Sequence, residues 1–233
     1  MSYRAVIFDL FGTLVDDFAS STGPMNTDLA TALHVPHEPF TRVWRQTSEM
    51  RTNGAFQTVE ASIEHVCGVM GVQVEAEQMT KAVAIRLQHT RRALEPRPDA
   101  VATLARLKDQ DYKIGLISNC SVEIPILWQE TAFANLVATP IFSCRERVKK
   151  PDPHIYHLAC ERLGVMPEHC LYIADGEDYE LTAAAKVGLH PVLLRTSSQE
   201  IRGELHQETR EWLGDTIASL AEVLQLQKRQ VRV

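Results

Sequence analysis

The chain has little of several features that would assign a protein to a class at once. Aromatic residues make up only 6% of its 233 residues, and no apolar run approaches the length of a membrane span. Repeats and low-complexity segments are absent. We therefore expect neither a membrane protein nor a repeat architecture. The net charge of −6 also argues against a nucleic-acid partner.

Cysteine is scarce and shows no metal-binding or disulfide pattern. The five cysteines are odd in number, scattered and without CxxC spacing; they are Cys67, Cys120, Cys144, Cys160 and Cys170. This usage predicts reduced thiols in a cytoplasmic protein, mostly packed as small apolar side chains. Asp9 interrupts the only apolar run near the N-terminus, so we expect no signal peptide.

Short apolar runs rich in β-branched residues alternate with helical patterns along much of the chain. These runs cover residues 5–8, 113–117, 136–142, 171–174 and 191–194, and Pro140 weakens the third. Such runs are typical of parallel strands buried on both faces. The alternation predicts an α/β fold, a doubly wound parallel sheet with right-handed crossovers.

Capping residues mark several of the predicted helices. Asp152 with Pro153 can begin a helix that Gly164 ends, and another helix ends at Gly188. Asp215 can cap a last helix, with Ile217 among the residues that face inward.

One interval breaks the alternation of strands and helices. Roughly eighty residues separate the first strand from the helix near Asp99, too many for a simple connection. Within this interval Ile63, Val66 and Met70 recur at helical spacing. The sequence predicts a small helical domain over 17–95, inserted into a main domain of 1–16 and 96–233.

Polar residues follow the predicted strands directly. Asp9 follows the first run, Ser118 and Asn119 the second, and Asp175 the fourth, while Lys150 precedes a helix start. Ligands of open parallel sheets bind beyond the carboxyl ends of the strands. These five residues therefore predict one polar site at one edge of the sheet.

Four segments together resemble the motifs of the haloacid dehalogenase-like hydrolase superfamily, in that family's order. They read FDLFGTL from Phe8, LISN from Leu116, KPDP from Lys150 and YIADGEDYE from Tyr172. Each motif alone is weak, but four in order at strand ends and helix starts are specific. The helical insert is similar to the family's cap, so the resemblance spans most of the chain.

The resemblance implies a hydrolase with Asp9 as a covalent nucleophile. It implies Mg²⁺ held by Asp9, Asp175 and the backbone carbonyl of Phe11, which would neutralise a phosphate that approaches these carboxylates. Lys150 would add fixed positive charge. Ser118, as a catalytic residue, and the amides that follow it, with Asn119, would bind the substrate's oxygens.

Phe11 departs from the phosphatases of this family, which carry a second Asp two residues after the nucleophile. A phenyl ring cannot transfer the proton that such an acid supplies to the leaving group. An aromatic residue here resembles the 2-haloacid dehalogenases, whereas the retained Asp175 resembles the metal-dependent phosphatases. The leading interpretation is a phosphatase of a small anionic metabolite. The alternatives are a dehalogenase, or a protein that binds phosphate with little turnover.

Two further residues have both functional and ordinary interpretations. Arg51, in an apparent turn between two cap helices, is either a clamp on an anionic substrate or a solvated arginine. Glu180 is either solvated or holds Lys150 in place, and we expect Asp178 to be exposed. Phe11 is predicted to wall the substrate pocket. The oligomeric state stays open between monomer and homodimer.

Overall fold

A six-stranded parallel sheet forms the centre of the molecule. The computed structural model describes residues 3–16, 19–196 and 206–226, with the backbone alone for 19–21. The strands are β1 (Ala5–Phe8), β2 (Lys113–Ser118), β3 (Thr139–Phe142), β4 (Cys170–Ala174), β5 (His190–Leu194) and β6 (Thr216–Ile217). They pair in the order β3-β2-β1-β4-β5-β6. The predicted α/β fold with a parallel sheet is confirmed.

Helices flank this sheet and fill the long interval after β1. They are α1 (Ala19–Ala32), α2 (His37–Gln46), α3 (Ser48–Thr52), α4 (Val59–Val69), α5 (Ala76–Ala93), α6 (Ala100–Asp109), α7 (Glu123–Leu127), α8 (Ser143–Glu146), α9 (Pro153–Leu163), α10 (Glu180–Val187), α11 (Gln207–Glu211) and α12 (Val223–Leu226). Among the described residues, no helix is both long enough and apolar enough to cross a bilayer.

The sheet is buried because each of its faces has its own apolar core. In β1, Val6 and Phe8 pack into the core that includes Leu104 of α6, whereas Ile7 packs with Tyr156 of α9 on the other face. Since side chains alternate along a strand, apolar residues at every position are needed when both faces are covered. The five cysteines are free and buried, as their apolar packing predicts.

Helices α1 to α5 have a third apolar core of their own. Its buried members come from all four of the longer helices in this group and include Met25, Leu29, Phe40, Trp44, Ile63, Val66 and Ala82. The group occupies the predicted position of the cap. Val15 and Pro96 pair in an antiparallel bridge where the chain leaves and re-enters the sheet domain. The boundary at 16/17 adjoins residues 17–18, which lie outside the described residues, so the domain limits stay a prediction.

Two sequence predictions fail at the edges of the sheet. The third strand covers only Thr139–Phe142, not 136–142. The predicted last helix is wrong at its start, because Thr216–Ile217 forms β6. The Asp215 carbonyl accepts from Leu193 N at 2.9 Å instead of opening a helix. Strand β5 offers unpaired backbone groups along its outer edge, and pairing with them outweighs helical periodicity in this short segment.

A buried ion pair joins the helical group to the sheet domain. Arg86 of α5 donates from Nε to Glu123 Oε1 of α7 at 2.6 Å, and their side chains are 4% and 1% exposed. Burial alone would raise the pKa of Glu123, but the charge and hydrogen bond of Arg86 bring it below its ordinary value.

Breaking this pair from one side should destabilise the protein strongly. We expect Arg86→Met to lower the free energy of unfolding by about 3–5 kcal/mol, because Glu123 would stay buried without its cation. Urea denaturation measures this. Arg91→Met is the matched control, since Arg91 of the same helix pairs with Glu130 in solvent and should change stability little. Equal effects of the two substitutions would contradict the prediction.

Candidate active site

The predicted site residues lie at the carboxyl edge of the sheet, where the strand order reverses. Asp9 follows β1, Asp175 follows β4 on its neighbour, and Ser118 ends β2. Asp9 and Asp175 are 5% and 4% exposed, and Ser118 is fully buried. The sheet topology therefore brings together residues that are far apart in the chain, as parallel strand ends predict.

Lys150 links two carboxylates in the centre of this site. Its Nζ lies 2.5 Å from Asp9 Oδ1 and 2.5 Å from Glu180 Oε2. Burial would lower the pKa of Lys150, but the negative charges of Asp9 and Glu180 outweigh it and hold this pKa well above its usual range. Burial raises the pKa of Asp9 to about 6, against the opposing charge of Lys150. Lys150 is thus a permanent cation, and Asp9 is mostly ionised at neutral pH.

Glu180 holds Lys150, which decides between its two interpretations. The residue is fully buried at the start of α10. Its Oε2 accepts from Tyr172 Oη at 2.6 Å, and its Oε1 accepts from Gly176 N at 3.2 Å. Every oxygen of this carboxylate is therefore engaged, and the lysine ammonium has a fixed position. Asp178, in contrast, is exposed as predicted.

Asn119 is paired with the backbone of Lys150. Its Nδ2 donates to the Lys150 carbonyl at 3.0 Å, and its Oδ1 accepts from Lys150 N at 2.8 Å. This two-way contact ties the loop after β2 to the lysine, a positioning role that the motif alone did not indicate. Asn119 also lines the cavity described below, so its predicted contact with substrate stays open.

Asp175 is fixed by residues from a part of the chain that carries no motif. His206 Nε2 lies 3.3 Å from Asp175 Oδ2, and Thr209 Oγ1 donates to the Asp175 carbonyl at 2.6 Å. Nearby, Glu208 accepts from Leu181 N at 3.0 Å and Thr182 N at 2.7 Å, which caps α10. Sequence reasoning missed these contacts because they depend on the path of the chain after β5.

The carboxylates can hold a divalent cation. One oxygen from each of Asp9, Asp175 and Glu180 lies within 4.8 Å of the others. Asp9 Oδ2 is buried and has no hydrogen-bond partner in the described part of the chain. Burial, and to a lesser extent the charge of Asp9, raises the pKa of Asp175. Mg²⁺ binds carboxylate oxygens, and a cation at this position would offset the repulsion between these carboxylates. The residues therefore fit the ion.

A cavity of about 590 Å³ opens beside these buried groups. Phe11, Arg51 and Asn119 line it, as do residues of α1, α2 and α5, whereas Asp9, Ser118, Lys150 and Asp175 lie outside its lining. Phe11 thus lies in the lining of a cavity, and its predicted contact with substrate stays a prediction. Its ring offers no proton donor at the place where one would face a leaving group.

Arg51 was predicted to lie in a turn, and this prediction is wrong. The residue lies in helix α3, and the turn follows at Asn53. Its side chain is buried rather than solvated, and its guanidinium carbon lies 4.1 Å from the centre of the Trp44 ring. Nη1 donates to Thr47 Oγ1 and Nη2 to the Trp44 carbonyl, both at 2.8 Å. These contacts depend on how α3 packs against α2, which residue types alone could not predict.

The geometry agrees with comparisons to known proteins. A family model described as haloacid dehalogenase-like hydrolase matches residues 3–188. This match covers more than half of the chain, which therefore belongs to the haloacid dehalogenase-like hydrolases.

Relatives of both chemistries are similar to this chain. An (S)-2-haloacid dehalogenase from Burkholderia cepacia is 29% identical over 199 residues, 82% of each chain. A phosphatase from Mycobacterium tuberculosis is 26% identical over 203 residues, 85% of this chain and 90% of its own. The relatives therefore establish a hydrolase and leave its substrate open.

Solved structures of both kinds also share the fold. A HAD phosphatase from Thermococcus onnurineus has a TM-score of 0.65 at 17% identity, with 96% of this chain and 97% of its own covered. The L-2-haloacid dehalogenase of Xanthobacter autotrophicus with chloropropionic acid covalently bound has a TM-score of 0.63 at 21% identity, with 98% and 99% covered.

Gly12 should be required for the position of Asp175. Its φ is +78°, and a Cβ there would lie 1.9 Å from Asp175 Oδ2. We expect Gly12→Ala to lower the free energy of unfolding by about 1–3 kcal/mol and to displace this carboxylate. Gly68→Ala is the control, because Gly68 lies in α4 with open space around it and should gain roughly 0.5–1 kcal/mol. Urea unfolding of both variants gives the comparison, and a neutral Gly12→Ala would refute the argument.

Proposed function

We propose that this protein is a Mg²⁺-dependent phosphatase that hydrolyses a small phosphate ester through an aspartyl-phosphate on Asp9. The observation that carries the proposal is the buried pair of Asp9 and Asp175, whose oxygens approach within 4.8 Å together with Glu180. Lys150 offsets one of the two negative charges of Asp9 and Glu180, and its Nζ makes no contact with Asp175 among the described hydrogen bonds. A divalent cation would balance this remaining charge and that of an incoming phosphate.

Asp9 has one engaged and one unengaged oxygen, which supports its role as nucleophile. Lys150 holds Oδ1, whereas Oδ2 lacks a hydrogen-bond partner in the described residues and is left to attack phosphorus. The new Asp9–phosphorus bond replaces the bond to the alcohol oxygen, and water then attacks phosphorus, which releases phosphate and restores Asp9. Ser118 Oγ, also buried without a partner, is a donor for the phosphoryl oxygens.

Removing the metal or its ligand should abolish phosphate release. We expect turnover of phosphorylated metabolites with Mg²⁺, none with a chelator, and a loss of several orders of magnitude in Asp9→Asn and Asp175→Asn. A colorimetric phosphate assay measures this. Asp111→Asn removes the same charge from an exposed residue that precedes β2, at the opposite end of that strand, and should keep full activity.

Phe11 favours a second candidate, a metal-independent 2-haloacid dehalogenase, because a halide leaves without a proton. In that reaction Asp9 would displace the halide from carbon, and water would hydrolyse the resulting ester. Halide release from (S)-2-chloropropionate in the presence of a chelator, unaffected by Asp175→Asn, would overturn the phosphatase proposal. Tight binding of phosphate esters with no turnover of either substrate class would instead favour a binding protein.

The missing acid at Phe11 makes a prediction about leaving groups. We expect Phe11→Asp to speed hydrolysis of alkyl phosphates by about 10²–10⁴-fold, because an alkoxide needs a proton to leave. Hydrolysis of p-nitrophenyl phosphate should change much less, since nitrophenolate leaves unprotonated. Phe11→Asn is the control of equal size without a transferable proton. Equal gains with Asn and Asp, measured as kcat on both esters, would contradict the explanation.

A further inference from the structure

We propose that the substrate carries a second anionic group, a carboxylate on its alcohol portion, and that Arg51 binds it. This inference rests on the proposed phosphatase function and names the class of ester. It arises from the wall of the cavity that the helical group forms, where two arginines face one carboxylate.

Arg51 is buried in this wall without a carboxylate in contact. Arg51, Arg86 and Glu123 are all buried, at 7%, 4% and 0% exposure. Glu123 is engaged by Arg86 at 2.6 Å. Arg51 makes its hydrogen bonds only to neutral oxygens, those of Thr47 and Trp44. One guanidinium is therefore left without a carboxylate in contact, and a buried cation of this kind is costly until an anion pairs with it.

The electrostatic environment of Arg51 is that of a buried cation close to another cation. Burial, and next the like charge of Arg86, lower the pKa of Arg51 to about 10, while Glu123 acts in the opposite direction. The group stays charged at neutral pH. The cavity lining contains further charged residues, of which Lys149 Nζ and Glu49 Oε1 pair at 3.3 Å; the others are Arg45, Glu177 and Asp178.

Arg51 is also held in a position suited to bind a ligand. Its guanidinium lies against one face of Trp44, at 4.1 Å from the ring centre, and Arg86 lies 5.3 Å from the same ring. Two of its five N–H groups are used by Thr47 and Trp44, and the remainder have no acceptor in the described part of the chain. Because Arg51 lines the cavity, these donors are available to a ligand there. A planar guanidinium stacked on an aromatic ring can donate two parallel hydrogen bonds to a carboxylate.

Asn26 supplies a second, independent indication of a polar ligand. This residue of α1 lines the same cavity and is 2% exposed. Its Oδ1 is buried and has no hydrogen-bond partner among the described residues. Buried amides are rarely left unsatisfied, so a hydroxyl of the substrate beside the carboxylate would complete this wall.

Matched pairs of substrates test the carboxylate directly. The series consists of ω-phosphooxy carboxylic acids of two to five carbons, each compared with the alcohol of the same length in place of the acid. We expect the wild-type kcat/KM to favour the acid by roughly 10- to 100-fold at one length, the range for a charged hydrogen bond. A bisphosphate of the same length tests whether the subsite prefers a carboxylate or a second phosphate. We expect the bisphosphate to bind less well than the acid.

Variants assign the preference to Arg51. In Arg51→Gln the ratio between acid and alcohol should fall to near one. Arg51→Lys should keep part of the preference. A structural defect alone would lower both substrates together and leave the ratio unchanged. Arg42→Gln removes an exposed charge from the preceding helix, outside the cavity lining, and should leave the ratio as in wild type.

Binding to the inactive Asp9→Asn protein separates this inference from the phosphatase proposal. Calorimetry should show tighter binding of the acid, lost when Arg51→Gln is added. If both esters are hydrolysed with no preference, or the preference survives Arg51→Gln, the carboxylate subsite is refuted while the phosphatase proposal stands. If no ester is hydrolysed but Arg51-dependent binding persists, the phosphatase proposal is refuted while the carboxylate subsite stands. Equal binding of acid and alcohol also refutes the subsite.

Discussion

The buried ammonium of Lys150 is the interaction on which the candidate site depends. Two carboxylates, Asp9 and Glu180, share it at 2.5 Å each, and its charge opposes the effect of burial, which raises the pKa of both groups. Asn119 fixes the lysine through its backbone, and Tyr172 fixes Glu180. Asp9, the proposed nucleophile, is thus oriented by a chain of contacts within the protein, as preorganised sites require.

A second set of buried charges lies across the cavity and has a different purpose. Arg86 and Glu123 join the helical group to the sheet domain, and Arg51 stands beside them without a carboxylate. The first set lies outside the cavity lining and holds Asp9 through Lys150. In the second set, Arg51 lines the cavity without a carboxylate in contact, which is the basis of the proposed carboxylate subsite.

The sequence predicted those parts of the structure that follow from local periodicity and strand ends. Asp9, Ser118 and Asp175 each follow a buried run, so their convergence at one edge required only the parallel sheet. It could not predict β6, because a two-residue pairing at the edge of β5 depends on tertiary context. The sequence also could not predict the positions of His206 and Glu208 or the burial of Glu180. Their contacts join distant segments of the chain, and no periodic pattern relates those segments. Arg51 was recognised as a candidate, but its stacking on Trp44 required the folded helices.

The capping of α10 by Glu208 has a consequence for how anions distribute over the site. The N-terminus of a helix offers free amides and a partial positive charge, and substrate phosphates commonly settle there. In this protein, buried Glu208 already occupies the amides of Leu181 and Thr182. The chain has filled one of its own anion sites with a side chain. In the proposed phosphatase reaction, a phosphoryl group could not bind these two amides, because an internal carboxylate already accepts from both.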